Sequence, residues 1–211
     1  MGRPQPQDET VIPSGRFLAA RHIDENAWFA ARATGVTATA VAEVAAKRDR
    51  VSAITEWLTA ARIEQNDYMR FGTESEAELM RYAHDEHGIL PVDWVIEGDR
   101  PGDLATPDGL SLDHRHIGEG KTTGKPWDGA ETNPRVVPIR YRRQVQWQLN
   151  VTGADACLFL WQLRVPDGQW FRFGWFEPRS IWIERDEDMI RDLRLVADDM
   201  KEARHGYREA A

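Results

Sequence analysis

The hydrophobic pattern of this chain changes its period near Ile89, and this change constrains the fold more than any other feature of the sequence. Before Ile89 the apolar residues recur at helical spacing, and after it they occur in short runs of strand length separated by turn residues. Helices are therefore predicted over residues 24–33, 40–47, 51–63 and 74–86, with Thr39 as the N-cap of the second and Gly88 ending the fourth.

The part of the chain after Ile89 is predicted to consist mostly of strands. Asp167-Gly168 is typical of a hairpin turn between two of them. The predicted strands cover residues 91–96, 104–106, 111–113, 116–121, 156–165, 170–176 and 181–183, with a loop at 122–133 and helices over Ile139–Thr152 and 186–205. This order predicts a central mixed β-sheet flanked by helices, a fold of the α/β or α+β class.

The length of the chain, 211 residues, suits one domain with a sizeable core, predicted over residues 16–211 after a flexible N-terminal arm at 1–15. The arm lacks the apolar segment of a secretory signal, and no apolar run is long enough to span a membrane. Cys157 is the single cysteine, which leaves no internal disulfide and no cysteine-based metal site and suits a reducing compartment such as the cytoplasm.

The net charge of -8 argues against nucleic-acid binding, which draws much of its affinity from Lys and Arg at phosphates. The acidic residues are concentrated near the C-terminal end, however, and four arginines cluster at Arg135, Arg140, Arg142 and Arg143. The local field and any bound metal ion decide what a site can hold. The charge of the whole chain therefore leaves nucleic-acid binding open.

An aspartate and a Glu-Gly-Lys triplet near the middle of the chain are the strongest candidates for chemistry. Glu119 and Lys121 share one face if their segment is a strand, and a turn at Pro107-Asp108-Gly109 can bring Asp108 beside them. Two carboxylates for a hard divalent cation and a neighbouring lysine are what phosphodiester cleavage requires. The same residues also fit an ordinary turn and a solvated strand face. Gly120 favours chemistry, because its carbonyl can face a metal held by the two acids.

Glu76 has two possible roles. It either completes a capping box with Thr73 or points a carboxylate at the strand acids. The paired histidines lack the accompanying ligands of a zinc site, and no Walker-type loop or dinucleotide motif is present. The tryptophans of the 156–183 segment fit a core, although an exposed one could stack on bases.

Six short motifs occur in one order along most of the chain. They are Ala27-Trp28-x-x-x-Arg32 with Gly35-Val36-Thr37-Ala38-Thr39, Phe71-Gly72-x-x-x-Glu76, Thr106-Pro107-Asp108-Gly109-Leu110, Glu119-Gly120-Lys121, Tyr141-x-x-Gln144-Val145-Gln146 with Val151-Thr152, and Ile183-Glu184-Arg185-Asp186-Glu187. In this order they resemble the lambda-exonuclease or YqaJ-like viral recombinases of the PD-(D/E)XK nuclease superfamily. The resemblance implies the restriction-endonuclease-like core of that superfamily.

The resemblance also implies a role for each matching residue. Asp108, Glu119 and the Gly120 carbonyl would hold Mg²⁺, for which Mn²⁺ would substitute, and Glu76 would assist at a second metal or orient water. Lys121 would position the attacking water and stabilise charge on the phosphate, with Gln144 against the site. The DNA-contacting residues would be Trp28, Arg32, Thr37, Thr39, Tyr141 and Gln146, with Arg32 and Thr39 at a 5′-phosphate. Thr39 stands where the family has serine, and Gly120 replaces an apolar residue, which is expected to loosen the strand.

The function implied is a metal-dependent exonuclease that resects one strand of linear duplex DNA, in the 5′→3′ direction, for phage-type recombination. Its partners would be DNA ends, further copies of itself in a ring such as a trimer, and a single-strand annealing protein, all in the cytoplasm of a bacterial host. Two alternatives remain: a related endonuclease of repair or restriction, and a catalytically silent DNA-binding protein with the same fold.

Overall fold

The computed structural model describes residues 15–60 and 65–210, in which six α-helices pack around two β-sheets. The predicted arm at 1–15 lies outside the described residues except for Gly15, as does the end of the helix predicted at 51–63. The elements of the first half are β1 (Arg16–Ala20), α1 (Glu25–Arg32), β2 (Val36–Thr37), α2 (Ala38–Ala46), α3 (Arg50–Thr59) and α4 (Asp67–His87).

The second half contains most of the strands, as predicted. Its elements are β3 (Ile89–Pro91), β4 (Trp94–Glu97), β5 (Asp103–Ala105), β6 (Gly109–Ser111), β7 (His116–Thr123), a 3-10 turn (Pro134–Val136), α5 (Ile139–Thr152), β8 (Ala156–Asp167), β9 (Trp170–Phe173), β10 (Arg179–Glu184) and α6 (Glu187–Ala210). The Asp167-Gly168 hairpin is confirmed, since Asp167 pairs with Trp170 across a two-residue loop.

Helix α4 begins seven residues before its predicted start at residue 74, and this corrects the interpretation of its first turn. The side chain of Asn66 caps the helix by accepting a hydrogen bond from the Met69 amide. Thr73 lies in the second turn, where its hydroxyl donates to the Met69 carbonyl, so Thr73 and Glu76 form no capping box. Gly88 ends the helix in the left-handed conformation with φ +68°, as predicted.

Helix α2 also begins earlier than predicted, so Thr39 is not its N-cap. Thr37 occupies that position, with extended backbone and without a side-chain cap bond. The reason is that Val36 and Thr37 form a short strand that pairs with Asp103 and Leu104 of β5, and the helix starts directly after it. The predicted strand 91–96 is likewise divided, because β3 pairs with β6 whereas β4 pairs with β1 and β5.

The larger sheet is mixed, as predicted, with strand order β10-β8-β7-β6-β3 and β9 attached to β8. β7 and β8 run parallel, and the other pairs of this sheet are antiparallel. The prediction of a single central sheet missed a second one, with order β1-β4-β5-β2. Its strands are two to five residues long, too short for a clear alternation of apolar and polar residues.

Two helices cover the two faces of the larger sheet. Leu79 and Met80 of α4 pack against Leu158 and Leu160 of β8 on one face. On the other face, Val145 and Leu149 of α5 pack with Cys157, Phe159 and Trp161 of the same strand. This explains why residues 156–161 form a continuous apolar run, since a strand covered on both faces has no polar side.

Helix α5 is buried on a second side as well, which places it between the two sheets. Trp147 and Val151 join a cluster with Val41 of α2, Leu193 of α6 and Ile96 of β4. The Trp147 indole donates a hydrogen bond of 3.1 Å to the Leu104 carbonyl of β5. The polar residues of α5 that lie over the larger sheet are therefore held in place from both sides. No helix in the described ranges is long and apolar enough to cross a membrane.

Candidate active site

Asp108 lies beside the middle of β7, at the entrance to β6. Its carboxylate Oδ2 accepts a hydrogen bond of 2.8 Å from the Gly120 amide, and its own amide donates to the Gly118 carbonyl at 3.0 Å. The chain does not reverse at Pro107-Asp108-Gly109 as predicted. It reverses between β6 and β7, where His114 has φ +58° and its amide donates to the Ser111 carbonyl. Strand pairing, rather than a turn at Asp108, brings the aspartate to the Glu-Gly-Lys triplet.

Glu119 and Lys121 share the face of β7 that is turned toward α5, as the alternation of a strand predicts, and their side chains form an ion pair. Glu119 is 1% exposed. Gln144 donates to its Oε1 at 2.6 Å, and Gln148 donates to its Oε2 at 2.7 Å. Both oxygens of the buried carboxylate therefore have donors, which is the condition for burying a charge.

Gln148 is a site residue that the sequence did not reveal. It stands four residues after Gln144, one helical turn along α5, and is 1% exposed. Helical spacing alone could have suggested it, because residues i and i+4 lie on the same side of a helix. No motif marks the position, and a glutamine between Trp147 and Leu149 could equally lie elsewhere in the core.

The opposite face of β7 carries glycines, and α4 lies directly against it. A Cβ atom on Gly120 would be 3.0 Å from Leu79 Cδ1 and 3.3 Å from Met80 Cε. On Gly118 it would be 2.9 Å from Ile89 Cγ2. The absence of a side chain at Gly120 is what allows α4 to approach the strand. The expected loosening of the strand is a separate effect and does not explain this packing.

Glu76 reaches the site from α4. It lines a cleft of about 400 Å³ together with Asp108, Asp93 and Arg21. Burial raises the pKa of the Glu76 carboxyl, and the negative charge of Glu119 raises it further. The sequence had not indicated Arg21, which lies between β1 and α1 and belongs to none of the six motifs.

The charges of the site are strongly coupled. Burial raises the pKa of Asp108 well above its ordinary value, and the charges of Glu119 and Glu76 act in the same direction. Burial lowers the pKa of Lys121, but the charges of Glu119 and Asp108 outweigh it and hold that pKa above its ordinary value. The lysine therefore stays protonated beside an excess of negative charge.

The donor atoms of this cluster suit a hard cation. They are carboxylate oxygens, and the mutual repulsion of Asp108, Glu119 and Glu76 would be relieved by a divalent ion. Over residues 15–60 and 65–210, no three His, Cys, Asp or Glu side chains are grouped closely enough to hold a metal by themselves. An ion held here would have to complete its shell with backbone oxygen and water, as Mg²⁺ can.

Arg32 approaches the site from α1. Its guanidinium lies 4.5 Å from the centroid of the Trp28 ring and donates to the Thr106 hydroxyl at 2.6 Å, two residues before Asp108. Burial lowers the pKa of Arg32 and the charge of Arg21 lowers it further, whereas the charge of Glu119 raises it. Trp28 in turn donates to the Asp93 carbonyl at 2.8 Å.

The remaining predicted DNA contacts differ in their positions. Thr37 is half-buried and pairs with Leu104, close to Thr106, and Thr39 is exposed in the first turn of α2. The ring of Tyr141 lies 5.8 Å from the Lys121 ammonium. Gln146 is not brought to the cluster: it is 2% exposed, donates to the Glu184 carbonyl and accepts from the Asp186 amide. It connects α5 to the start of α6.

Comparison with known proteins shows which family this chain resembles. The profile of the YqaJ-like viral recombinase domain matches residues 27–155. The alkaline exonuclease LHK-Exo from Laribacter hongkongensis is 28% identical, with 88% of this chain and 95% of that chain covered and a TM-score of 0.65, or 0.67 for its complex with dAMP.

A phage-related exonuclease from Haemophilus somnus 129PT shares the fold at 13% identity and a TM-score of 0.67, over 84% of this chain and 96% of that one. The comparison with curated proteins gave no match. Because the recombinase-domain profile spans more than half of the 211 residues, the chain belongs to the family of YqaJ-like viral recombinase domains.

Proposed function

We propose that this protein is a metal-dependent DNA exonuclease that resects one strand of a linear duplex in the 5′→3′ direction. The observation that carries the proposal is the contact of Asp108 with the Gly120 amide beside the Glu119–Lys121 ion pair. This geometry joins two carboxylates and a protonated amine at one point of the strand. The similarity to LHK-Exo, described as an alkaline exonuclease, supports the same activity.

Asp108, Glu119 and the Gly120 carbonyl would hold Mg²⁺, and Mn²⁺ would substitute for it. A bound ion of this kind lowers the pKa of coordinated water and neutralises charge on the phosphate. Gln144 and Gln148 keep the Glu119 carboxylate in one orientation, because each donates to a different oxygen.

Lys121 and Glu76 act around the scissile phosphate. The Lys121 ammonium donates to a non-bridging oxygen and stabilises the negative charge that grows on it during attack. Glu76, whose pKa is raised by burial and by Glu119, accepts a proton from the attacking water and orients it in the cleft.

Arg32 would bind the phosphate at the DNA end. Its guanidinium is positioned by the Trp28 ring and the Thr106 hydroxyl, and it is always charged. Thr37 and Thr39, at the start of α2, supply hydroxyl and amide donors, as helix N-termini do for phosphates. An enzyme that holds a terminal phosphate in this way acts from an end, which favours an exonuclease over an endonuclease.

Resected strands are substrates for annealing, so we place the protein in phage-type recombination with a single-strand annealing protein. A closed ring of identical chains around DNA, such as a trimer, would suit processive resection. These assignments follow from the family and from the proposed reaction. A catalytically silent DNA-binding protein is disfavoured, because Asp108, Glu119 and Lys121 are all present, with Glu119 and Lys121 paired and Asp108 bonded to the Gly120 amide between them.

Digestion of a linear duplex labelled separately at each 5′ and 3′ end tests the proposal, with covalently closed circular DNA of the same sequence alongside. With Mg²⁺, early release of the 5′ label and an intact circle are expected. Asp108→Asn and Lys121→Ala are expected to abolish the release while retaining the fold by circular dichroism. Cleavage of the circle would identify an endonuclease, and equal activity of wild type and Lys121→Ala would refute the assigned site.

A further inference from the structure

The β8–β9 hairpin extends beyond the strand that carries the candidate active site. β7 ends at Thr123, which pairs with Leu163, whereas β8 continues to Asp167. From Arg164 onward β8 pairs with β9 in the part of the sheet beyond β7. The extended hairpin therefore stands next to the end of β7, within a few residues of Lys121.

The inner aromatic residues of this hairpin fasten it to the start of α4. Phe71 is buried, and its ring centroid lies 5.6 Å from that of Phe171 and 5.8 Å from that of Phe173. The ring centroid of Trp170 lies 6.5 Å from that of Phe71. These contacts are ordinary core packing and explain why the hairpin is held against the helix.

The outer edge of this aromatic cluster is only partly buried. Tyr68 is 56% exposed, and its ring centroid lies 5.3 Å from that of the half-buried Phe171. The guanidinium of Arg164 lies 4.4 Å from the Tyr68 centroid and 5.3 Å from the Phe171 centroid. We name Tyr68, Arg164 and Phe171 the stacking patch.

Within the part of the chain that the structure describes, Arg164 forms no ion pair with a carboxylate, and in this it differs from several other exposed arginines. Arg50, Arg100, Arg115 and Arg191, for example, each form an ion pair with an aspartate. Among the described residues, the hydrogen-bond partner of Arg164 is the Thr122 hydroxyl, at 3.3 Å. A positive charge without a carboxylate, in a chain of net charge -8, is suited to an anionic ligand.

Exposed aromatic rings beside a cation are the elements with which proteins bind single-stranded nucleic acid. The base faces of a duplex are hidden in its stack, so only an unpaired strand can use such rings. Thr122, the partner of Arg164, directly follows Lys121 in β7, so the stacking patch lies beside the strand end that follows the candidate active site.

We propose that the stacking patch binds the unpaired strand of DNA, with bases stacked on Tyr68 and Phe171 and a phosphate at Arg164. The inference rests on the proposed nuclease function and names a second part of its substrate. The strand held here would be the one left after resection, kept apart from the strand that enters the metal site.

The test is binding of a fluorescein-labelled oligothymidylate of about 16 nucleotides, within the usual site size, measured by anisotropy on the full chain in EDTA. Tyr68→Ala is expected to weaken binding roughly 5- to 150-fold, the effect of losing one stacked base. Tyr68→Phe keeps the ring and should bind like the wild type. Arg164→Ala should also reduce the slope of log K against log salt by about 0.7, the loss of one phosphate contact on a single strand.

Arg191→Ala is the matched control, since it removes an arginine from the exposed surface of α6 and should leave oligonucleotide affinity unchanged. Thermal melting separates binding from packing: the expected variants lose affinity at an unchanged melting temperature. Equal affinity of Tyr68→Ala and wild type would overturn the proposal and leave the patch to packing or to a protein partner. Digestion of blunt duplex by the wild type is scored separately, so a failure of the nuclease function is distinguishable from a failure of the patch.

Discussion

Replacement of Gln148 by methionine separates the geometry of the candidate active site from the stability of the fold. Gln148 donates to Glu119 Oε2 at 2.7 Å, and within the described ranges its own Oε1 is buried without a hydrogen-bond partner. Methionine has a similar length and volume but neither donates nor accepts strongly. Gln148→Met therefore removes the donor from Glu119 without leaving a cavity.

The two energetic consequences for folding have opposite signs. A hydrogen bond to an ionised acceptor stabilises by about 1.5–3 kcal/mol, whereas a buried polar atom without a partner costs about 1–3 kcal/mol. The substitution removes both, so the two terms should offset each other to within about 2 kcal/mol in the free energy of unfolding. The Glu119 carboxylate, however, remains 1% exposed and loses the donor that orients one of its oxygens.

Loss of a partner behind a metal ligand typically lowers metal affinity or activity by about 10- to 100-fold. We therefore expect calorimetry to show a Kd for Mn²⁺ that is about tenfold or more higher in Gln148→Met, with a change in the free energy of unfolding from urea titration of no more than about 2 kcal/mol. The combination matters, because a variant that merely disturbed packing would lose stability first.

Gln146→Met is the matched control from the same helix. It removes bonds to the Glu184 carbonyl and from the Asp186 amide, far from Glu119 in the hydrogen-bond network. It should lose about 1–3 kcal/mol in the free energy of unfolding, because it leaves buried backbone groups unpaired, and keep its affinity for Mn²⁺. If Gln148→Met binds Mn²⁺ as tightly as the wild type, or if both variants lose stability and affinity alike, the positioning role of Gln148 is refuted.

Two pairs of substitutions test the packing around the smaller sheet, and each pair is compared by urea denaturation. Lys201→Met should lower the free energy of unfolding by about 3 kcal/mol, because it leaves the buried Asp103 carboxylate without the lysine that bonds it at 2.6 Å. Asp103→Asn should lower it less, since burial already raises the pKa of Asp103. A larger loss for Asp103→Asn than for Lys201→Met would contradict this. Gly35→Ala should cost about 3 kcal/mol or more, because its Cβ would lie 2.1 Å from the Gly102 carbonyl oxygen. Gly206→Ala, with open space on α6, should instead stabilise by about 0.5–1 kcal/mol, and similar effects of the two alanines would show that the Gly35 contact is unimportant.

The sequence predicted most of the elements of this fold because their patterns are long or clearly bounded. Helix α5 has the predicted bounds, and Gly88 ends α4 where expected. The start of α4 was missed because its cap, Asn66, precedes residues of mixed polarity at 67–70, which mask the helical period. The second sheet was missed because pairing between short strands far apart in the sequence is decided by tertiary packing.

The site was predictable to the extent that strand alternation controls it. Glu119 and Lys121 had to share a face, and their ion pair agrees with this. The position of Asp108 beside Gly120 depended on strand pairing, which the sequence suggested only through a turn that the structure places elsewhere. Gln148 and Arg21 escaped notice because their roles depend on which helix and which loop meet at the site.

The two faces of β7 show why the spacing of the Glu-Gly-Lys triplet and its glycine belong together. Residues 119 and 121 face α5 and its glutamines, and residues 118 and 120 face α4. Glu76 reaches the cleft only if α4 lies close to the strand, and a Cβ on Gly120 would already press on Leu79. The acid and the lysine thus match the polar contacts on one face, and the glycine between them matches the approach of the helix on the other. A one-residue slip of β7 would turn the glycines to α5 and the charged side chains into the apolar contact with α4, so the register of this strand is specified from both sides.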